Sequence, residues 1–188
     1  MLSVPRTKPN IGMDRRLLAS ATAVAVVLTT LLALWHPTPK PSQEAVILGV
    51  PFVKQKPWFC SEASASMLLQ YYGFNLTQEK INAMGYDRFE NMLPLIQQYL
   101  NASYAHLTLE ELKAQIDMGR PVMVRLEING VRHTVVVVGY DENYIYVNDP
   151  ARGPAVPVPV KKFMKLWSRT DYLAIVAYPK QGLTESEG

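Results

Sequence analysis

A single thiol and three imidazoles bound the chemistry open to this 188-residue chain. The thiol is Cys60. It follows the loop Lys54-Gln-Lys-Pro-Trp-Phe59 and opens a run of small and apolar residues, among them Ala63, Ala65, Met67, Leu68 and Leu69, that ends at Gly73. That pattern predicts a helix over 60–72 with Cys60 in its first turn. The free amides and the dipole of a helix start favour a thiolate over a thiol. A thiolate is a nucleophile, and it needs a base to carry the proton to and from the reacting groups. The competing reading is a buried cysteine packed as a small hydrophobe. In an oxidising compartment an unpaired thiol is a liability unless it is buried or used.

Of the histidines, His36 lies among prolines and His106 in a polar connection, where a solvated ring is the ordinary case. His133 stands at the mouth of a strand with four consecutive valines, Val135 to Val138. A polar ring there is either a satisfied core histidine or a base. Asp149 ends the next extended stretch, 144–148. If the two strands pair antiparallel through a turn at 141–143, residues near 133 come to lie opposite residues near 149. His133 and Asp149 then sit side by side, as a base and its orienting acid must. Otherwise Asp149, preceding Pro150, is a turn former. Gln55, in the loop before Cys60, could donate its amide to a developing oxyanion alongside the Cys60 backbone N–H, although a loop glutamine is ordinarily just solvated. Trp58 and Ser61 flank Cys60 and are candidates for lining a substrate cleft, with plain loop packing the alternative for Trp58. No cluster with metal-ligand spacing and no phosphate-binding glycine loop is present, so neither a metal nor a cofactor is expected.

These residues need elements to hold them. Besides 60–72, helices are expected over 77–84 and 91–100. Another opens at Thr108, where Thr108 and Glu111 have the spacing of a capping box, and ends at Gly119. An extended segment over 46–53 precedes the first helix. The last third is strand-rich. The segment 121–128 turns through Asn129-Gly130, a strong hairpin signal, into 133–139. Strand 144–148 follows, then a loop containing Gly153 and three prolines that leads to 160–167, and a final strand at 172–178. Helices first and an antiparallel sheet afterwards make an α+β fold.

The composition is 48% hydrophobic and 19% charged, which suits a folded domain. Net charge is +3, and four of the basic residues, Arg6, Lys8, Arg15 and Arg16, precede residue 17. No basic stripe interleaved with aromatics remains to bind nucleic acid. One cysteine excludes an internal disulfide framework. Residues 17–35 are free of charge and, at about 20 residues, are long enough to cross a hydrocarbon core of about 30 Å. Arg15 and Arg16 at the near end predict a cytoplasmic N-terminus and an exported C-terminal part. The expected organisation is a basic tail at 1–16, a transmembrane signal anchor at 17–35, a proline-rich spacer at 36–46, a catalytic domain at 47–180 and a disordered tail at 181–188. A cleaved signal peptide is the alternative for 17–35, although Ala33-Leu-Trp35 is a poor cleavage site. The triplets beginning at Asn75 and Asn101 are glycosylation acceptors only in a glycosylating cell.

Five segments together carry a resemblance. Gln55-Lys-Pro-Trp-Phe-Cys60-Ser-Glu-Ala-Ser64, Tyr71-Tyr-Gly73, Gly119-Arg-Pro-Val122, His133-Thr-Val-Val-Val-Val-Gly-Tyr140 and Val147-Asn-Asp-Pro150 resemble the bacteriocin-leader, or double-glycine, peptidase-like domains of the papain clan. The resemblance spans about 48–178. It implies a papain-like cysteine peptidase fold, with N-terminal helices packed on a C-terminal antiparallel sheet. It also implies Cys60 as nucleophile, His133 as base, Asp149 as orienter and Gln55 as oxyanion donor. The family pattern often has Gly and Pro after the cysteine, where this chain has Ser61 and Glu62. Its typical members are fused to an exporter and face the cytoplasm, whereas this sequence contains no Walker motif. Fold and reaction class transfer, but leader cleavage does not. The expected function is a membrane-anchored, exported cysteine peptidase acting on a peptide or protein. The alternative is a catalytically silent peptide- or envelope-binding module on the same fold.

Overall fold

The computed structural model describes residues 44–180. The segments read as basic tail, anchor and C-terminal tail, and all of the spacer but its last three residues, lie outside these. Among the described residues no helix is long and apolar enough to cross a membrane.

The order of elements is β1 (Val46–Ile47), α1 (Cys60–Tyr71), α2 (Gln78–Ala83), α3 (Phe89–Tyr99), β2 (Asn101–His106), α4 (Leu109–Asp117), β3 (Val122–Ile128), β4 (Val131–Tyr140), β5 (Tyr144–Asp149), β6 (Gly153–Pro159), α5 (Val160–Trp167), a 3-10 turn Ser168–Thr170 and β7 (Leu173–Tyr178). The strands make one antiparallel sheet in the order β2-β7-β3-β4-β5-β6, with β1 paired to β4. This is an α+β fold. Three of its features differ from the sequence expectation. The proline-bearing stretch at 153–159 is an edge strand rather than a loop, a place where Pro is tolerated because one side of the backbone needs no ladder partner. His106 ends strand β2, which pairs along its length with β7. Within 46–53 only β1 joins the sheet.

The valine run has a simple cause. Val135 and Val137 pack into a core with Leu112, Ile116, Phe163 and Trp167 from α4 and α5, while Val136 and Val138 pack on the other face with Val50 and Met67. A strand covered on both faces loses the polar alternation of a half-exposed one. Four buried valines at about 1.5 kcal/mol each contribute roughly as much as the net stability of a whole domain. β4 is therefore a rigid mount for the residues at its start. Across the sheet from α4 and α5, helix α1 is buried from Ser61 to Leu69, and its small residues Ser61, Ala63, Ser64 and Ala65 let it lie close against β4. Gly139 lets β1 cross β4 closely: a Cβ there would overlap the Val46 carbonyl oxygen and lie 2.9 Å from Ile47 Cα. The Asn129-Gly130 turn has both residues at positive φ, 52° and 80°, as a two-residue type I′ hairpin requires.

Strands β4 and β5 pair with a shift. Next to the turn, Tyr140 faces Ile145 and Gly139 faces Tyr146, but further out Val137 faces Val147 and Val136 faces Asn148. Val138 is the extra residue of a bulge. Continuing the outer register puts Asp149 opposite Val135, two residues from His133 and on the same face of the sheet. Without the bulge Asp149 would fall opposite Val136, and the alternation of the strand would send it to the other face.

Candidate active site

Cys60 occupies the first position of α1, and the preceding residue, Phe59, offers no side-chain cap. The Glu62 N–H is taken by its own carboxylate, and the Cys60 and Ser61 amides are left to whatever sits beyond the helix end. That space is a cavity of about 340 Å³ lined by Gln55, Trp58, Cys60, Ser61, Asp87, Arg88, Arg125, Val131, Arg132, His133 and Ala151. Of the residues singled out in the sequence, five line it together. Asp149 stands behind His133, 4% exposed.

His133 Nε2 and Asp149 Oδ1 are 2.8 Å apart. The same carboxylate oxygen accepts from the backbone N–H of Ala151 at 3.0 Å, which fixes the carboxylate at the strand end. With Nε2 committed to Asp149, Nδ1 is the ring nitrogen left for Cys60, and the two side chains are hydrogen-bonded. Burial alone would push the Cys60 thiol up. Hydrogen bonds from His133 and from the Thr134 backbone N–H, with the charge of His133, overcome it and hold the thiol below its ordinary range. Burial likewise opposes a charged ring, yet the hydrogen bonds and charges of Asp149 and Cys60 raise His133 to about 9. Burial would also push Asp149 up, but His133, the Ala151 N–H and the charge of Arg152 hold it below the usual carboxylate range. Thiolate, imidazolium and carboxylate are thus the mutually supporting states.

Gln55 sits in a loop pinned at three points. Its own N–H donates to Pro150 O at 2.9 Å. On either side, Lys56 N–H donates to Gln78 Oε1 and Gln78 Nε2 donates to Lys54 O, both at 2.9 Å. Gln78 opens α2 and is 7% exposed, and nothing in the linear sequence marks it. The Gln55 amide itself is engaged by no residue, and its Oε1 is buried without a partner. Trp58, at the lip, is 87% exposed and has a φ of 71°. A large aromatic held in a left-handed conformation and left in solvent is costly, and it gains no packing in exchange. Glu62, two residues past the nucleophile, does not face it. Glu62 is 1% exposed and accepts from Asn82 Nδ2 at 2.9 Å. Burial pushes its carboxyl above the usual range and so weakens its opposition to a nearby thiolate.

Arginines form one wall. Arg125 and Arg132 share Glu90 Oε1 at 3.5 and 3.3 Å, and Arg88 pairs with Asp87 at 3.0 Å. Among the described residues, no group of three or more His, Cys, Asp and Glu side chains is placed to hold a metal ion.

The family model described as the Peptidase_C39 like family matches residues 47–175. No curated protein matches the chain. Among solved structures, a Bacillus anthracis protein assigned as a C39-like peptidase aligns at 23% identity with a TM-score of 0.63, over 73% of this chain and 99% of that one. A double-glycine-motif protease from an AMS/PCAT transporter, solved in complex with the leader peptide, aligns at 24% identity with a TM-score of 0.59, over 76% and 100%. The peptidase domain of Streptococcus ComA, a bifunctional ABC transporter involved in a quorum-sensing pathway, aligns at 18% with a TM-score of 0.56, over 68% and 97%. At these identities the structural likeness is one of fold.

Proposed function

This chain belongs to the Peptidase_C39 like family, and from that premise we propose that it is a cysteine peptidase using Cys60, His133 and Asp149, with Gln55 as oxyanion donor. The observation that carries the reading is the linked arrangement of Cys60 to His133 and of His133 to Asp149 at 2.8 Å, at an open cavity and a free helix start. The Cys60 thiolate attacks the carbonyl carbon of a peptide, and the electron pair of the C=O moves to oxygen. The Cys60 backbone N–H and the Gln55 amide face that oxyanion. As the C–N bond breaks, His133 gives its Nδ1 proton to the leaving amine, and the acyl group stays on sulfur. A water then attacks the thioester while His133 takes its proton, which releases a carboxylate and restores the thiolate. Asp149 holds the ring in the orientation both transfers need.

The substrate is a peptide or protein. The charge-free run 17–35 behind Arg15 and Arg16 supports a single membrane span with the domain outside. The test is digestion of a diverse peptide mixture by the full-length chain, with products read by mass spectrometry. Cleavage by wild type and none by Cys60→Ala, or by His133→Ala at the same Cys60 exposure, is expected. Peptide binding without cleavage, unaffected by Cys60→Ser, would establish the silent binding module instead.

A further inference from the structure

Thr134 follows the proposed base and is wholly buried, yet it lies in a polar knot rather than an apolar contact. Its Oγ1 is 3.0 Å from Ser61 Oγ and accepts from Arg125 Nη1 at 3.0 Å. Arg125 Nη1 also reaches Ser61 Oγ at 3.5 Å, and Ser64 Oγ donates to the Thr134 carbonyl at 3.2 Å. Ser61 and Ser64 are 1% and 0% exposed, and the Arg125 side chain is 11% exposed. Three hydroxyls and a guanidinium buried beside an apolar core are unfavourable unless their donors are used. Arg125 lies over the Phe89 ring and pairs with Glu90, but neither contact accounts for the three hydroxyls. What they adjoin is Cys60: Ser61 follows it in α1 and Thr134 follows His133 in β4, and the Thr134 N–H, with a smaller contribution from its hydroxyl, helps to lower the thiol.

Counting protons shows when the hydroxyl is free to serve the sulfur. A threonine hydroxyl has one hydrogen and two lone pairs, and a guanidinium has donors only. Arg125 therefore occupies one lone pair of Thr134. When Ser61 donates as well, both lone pairs are filled, and the single hydrogen of Thr134 is left for the sulfur. A buried cation behind the oxygen also makes that O–H a stronger donor.

Taking Cys60 as the nucleophile, we propose that Thr134 is a second activator of its thiolate, donating from amide and hydroxyl together, with Arg125 and Ser61 as positioning residues that aim the hydroxyl hydrogen at sulfur. The thiolate is then held from two sides, by His133 across the cleft and by Thr134 from the sheet. Part of its stabilisation survives loss of the imidazolium proton.

Alkylation of the full-length chain by iodoacetamide, followed across pH, tests this without a peptide substrate, since Cys60 is its sole thiol. Thr134→Val keeps the shape and deletes the donor. The midpoint of the alkylation curve should rise by about one pH unit, a tenfold loss of thiolate on the acid limb, as expected for one hydrogen bond to a charged group. Thr134→Ser should restore the wild-type midpoint, and Arg125→Met and Ser61→Ala should each shift it upward by less. A folded Thr134→Val with an unmoved midpoint, or a Thr134→Ser that fails to restore it, overturns the proposal. Should Thr134→Val not fold, Arg125→Met and Ser61→Ala decide: an upward shift supports the proposal and an unmoved midpoint overturns it. A wild-type midpoint equal to that of free cysteine would instead overturn the nucleophile reading itself, so the two failures are distinguishable.

Discussion

Replacing Gln78 with leucine should disable the active site without touching it. Gln78 brackets Gln55 through Lys56 N–H and Lys54 C=O, each at 2.9 Å, so both peptide groups around Gln55 depend on one side chain. Two neutral hydrogen bonds at about 1 kcal/mol each put the stability loss near 2 kcal/mol, or roughly 5–10 °C in melting temperature for a domain of this size. The kinetic loss is separate and larger. An oxyanion donor is worth roughly 10²–10³ in kcat, and displacement by an ångström forfeits much of such a contribution. Hydrolysis of p-nitrophenyl acetate by Gln78→Leu should therefore fall by about 10- to 100-fold at a temperature where the protein is folded. Alkylation of Cys60 by iodoacetamide should be unchanged, because that reaction develops no oxyanion. Gln55→Ala sets the ceiling, and Gln55→Ala with Gln78→Leu should hydrolyse no more slowly than Gln55→Ala alone, since residues acting as one unit are not additive. A double variant that loses the product of the two single effects, or a Gln78→Leu whose alkylation slows as much as its hydrolysis, would refute the argument that Gln78 acts through Gln55.

Three further outcomes follow from the same geometry. His133, raised to about 9, contributes stability that is complete below its unfolded value of about 6.5 and is lost as pH rises through about 9. Cys60, held below its usual range, contributes stability that is complete above its unfolded value and lost as pH falls through its folded one. The two oppose each other wherever His133 loses its proton while Cys60 has already lost its own, so thermal melts of wild type should vary less with pH up to about 9 than those of a variant without the thiol. Melts of Cys60→Ala, which keeps only the His133–Asp149 pair, should move to lower temperature as pH rises; a flat Cys60→Ala series contradicts this. Trp58→Gly relieves a left-handed φ of 71° in a residue 87% exposed. Its melting temperature should hold or rise, while KM for a cleaved peptide rises several-fold at an unchanged rate of Cys60 alkylation; a fall in stability would show that Trp58 packs. Gly139→Ala drives a methyl into Val46 and Ile47 and should cost roughly 1–3 kcal/mol in urea titration, with no loss meaning that β1 is not held against β4 in solution.

Much of this fold could be read from the chain because local chemistry and global position agree. Thr108 and Glu111 form their capping box. Gly119 stops the following helix at a φ of 71°, and Asn129-Gly130 turns the hairpin. The failures came where a local signal was overridden by a neighbour. Pro154, Pro157 and Pro159 argue for a loop, but at the outer edge of β6 a missing N–H costs no ladder bond. The stretch 101–106 is too polar to suggest a strand by itself, yet an unpaired β7 edge recruits it. In the candidate site, Cys60, His133 and Asp149 are singled out by residue type and position, and Gln55 only by its place in the loop ahead of Cys60. Gln78, Thr134 and Arg125 do not, because an amide, a hydroxyl and a guanidinium are common on any surface. Their significance comes from which backbone groups and which sulfur they meet, and those contacts span between 9 and 74 residues of chain.

The relation of His133 to Asp149 shows where reasoning from spacing stops. Stepping outward from the turn at 141–143 brings the two residues near each other, and nearness is insensitive to an error of one position. Facing is not, because in a strand one position exchanges the two faces. The register beside the turn, with Gly139 opposite Tyr146, would carry Asp149 to the face of Thr134 and Val136, away from His133. The extra residue at Val138 corrects the phase. The bulge also sits where β1 pairs with β4: Ile47 pairs with Gly139, and Leu48 N–H donates to Val138 O at 2.7 Å, so the carbonyl of the extra residue is taken by the incoming chain. The segment 46–48 therefore holds β4 at the irregularity on which the alignment of base and acid depends. It does so well away from the cleft, through backbone contacts that a list of catalytic residue types does not contain.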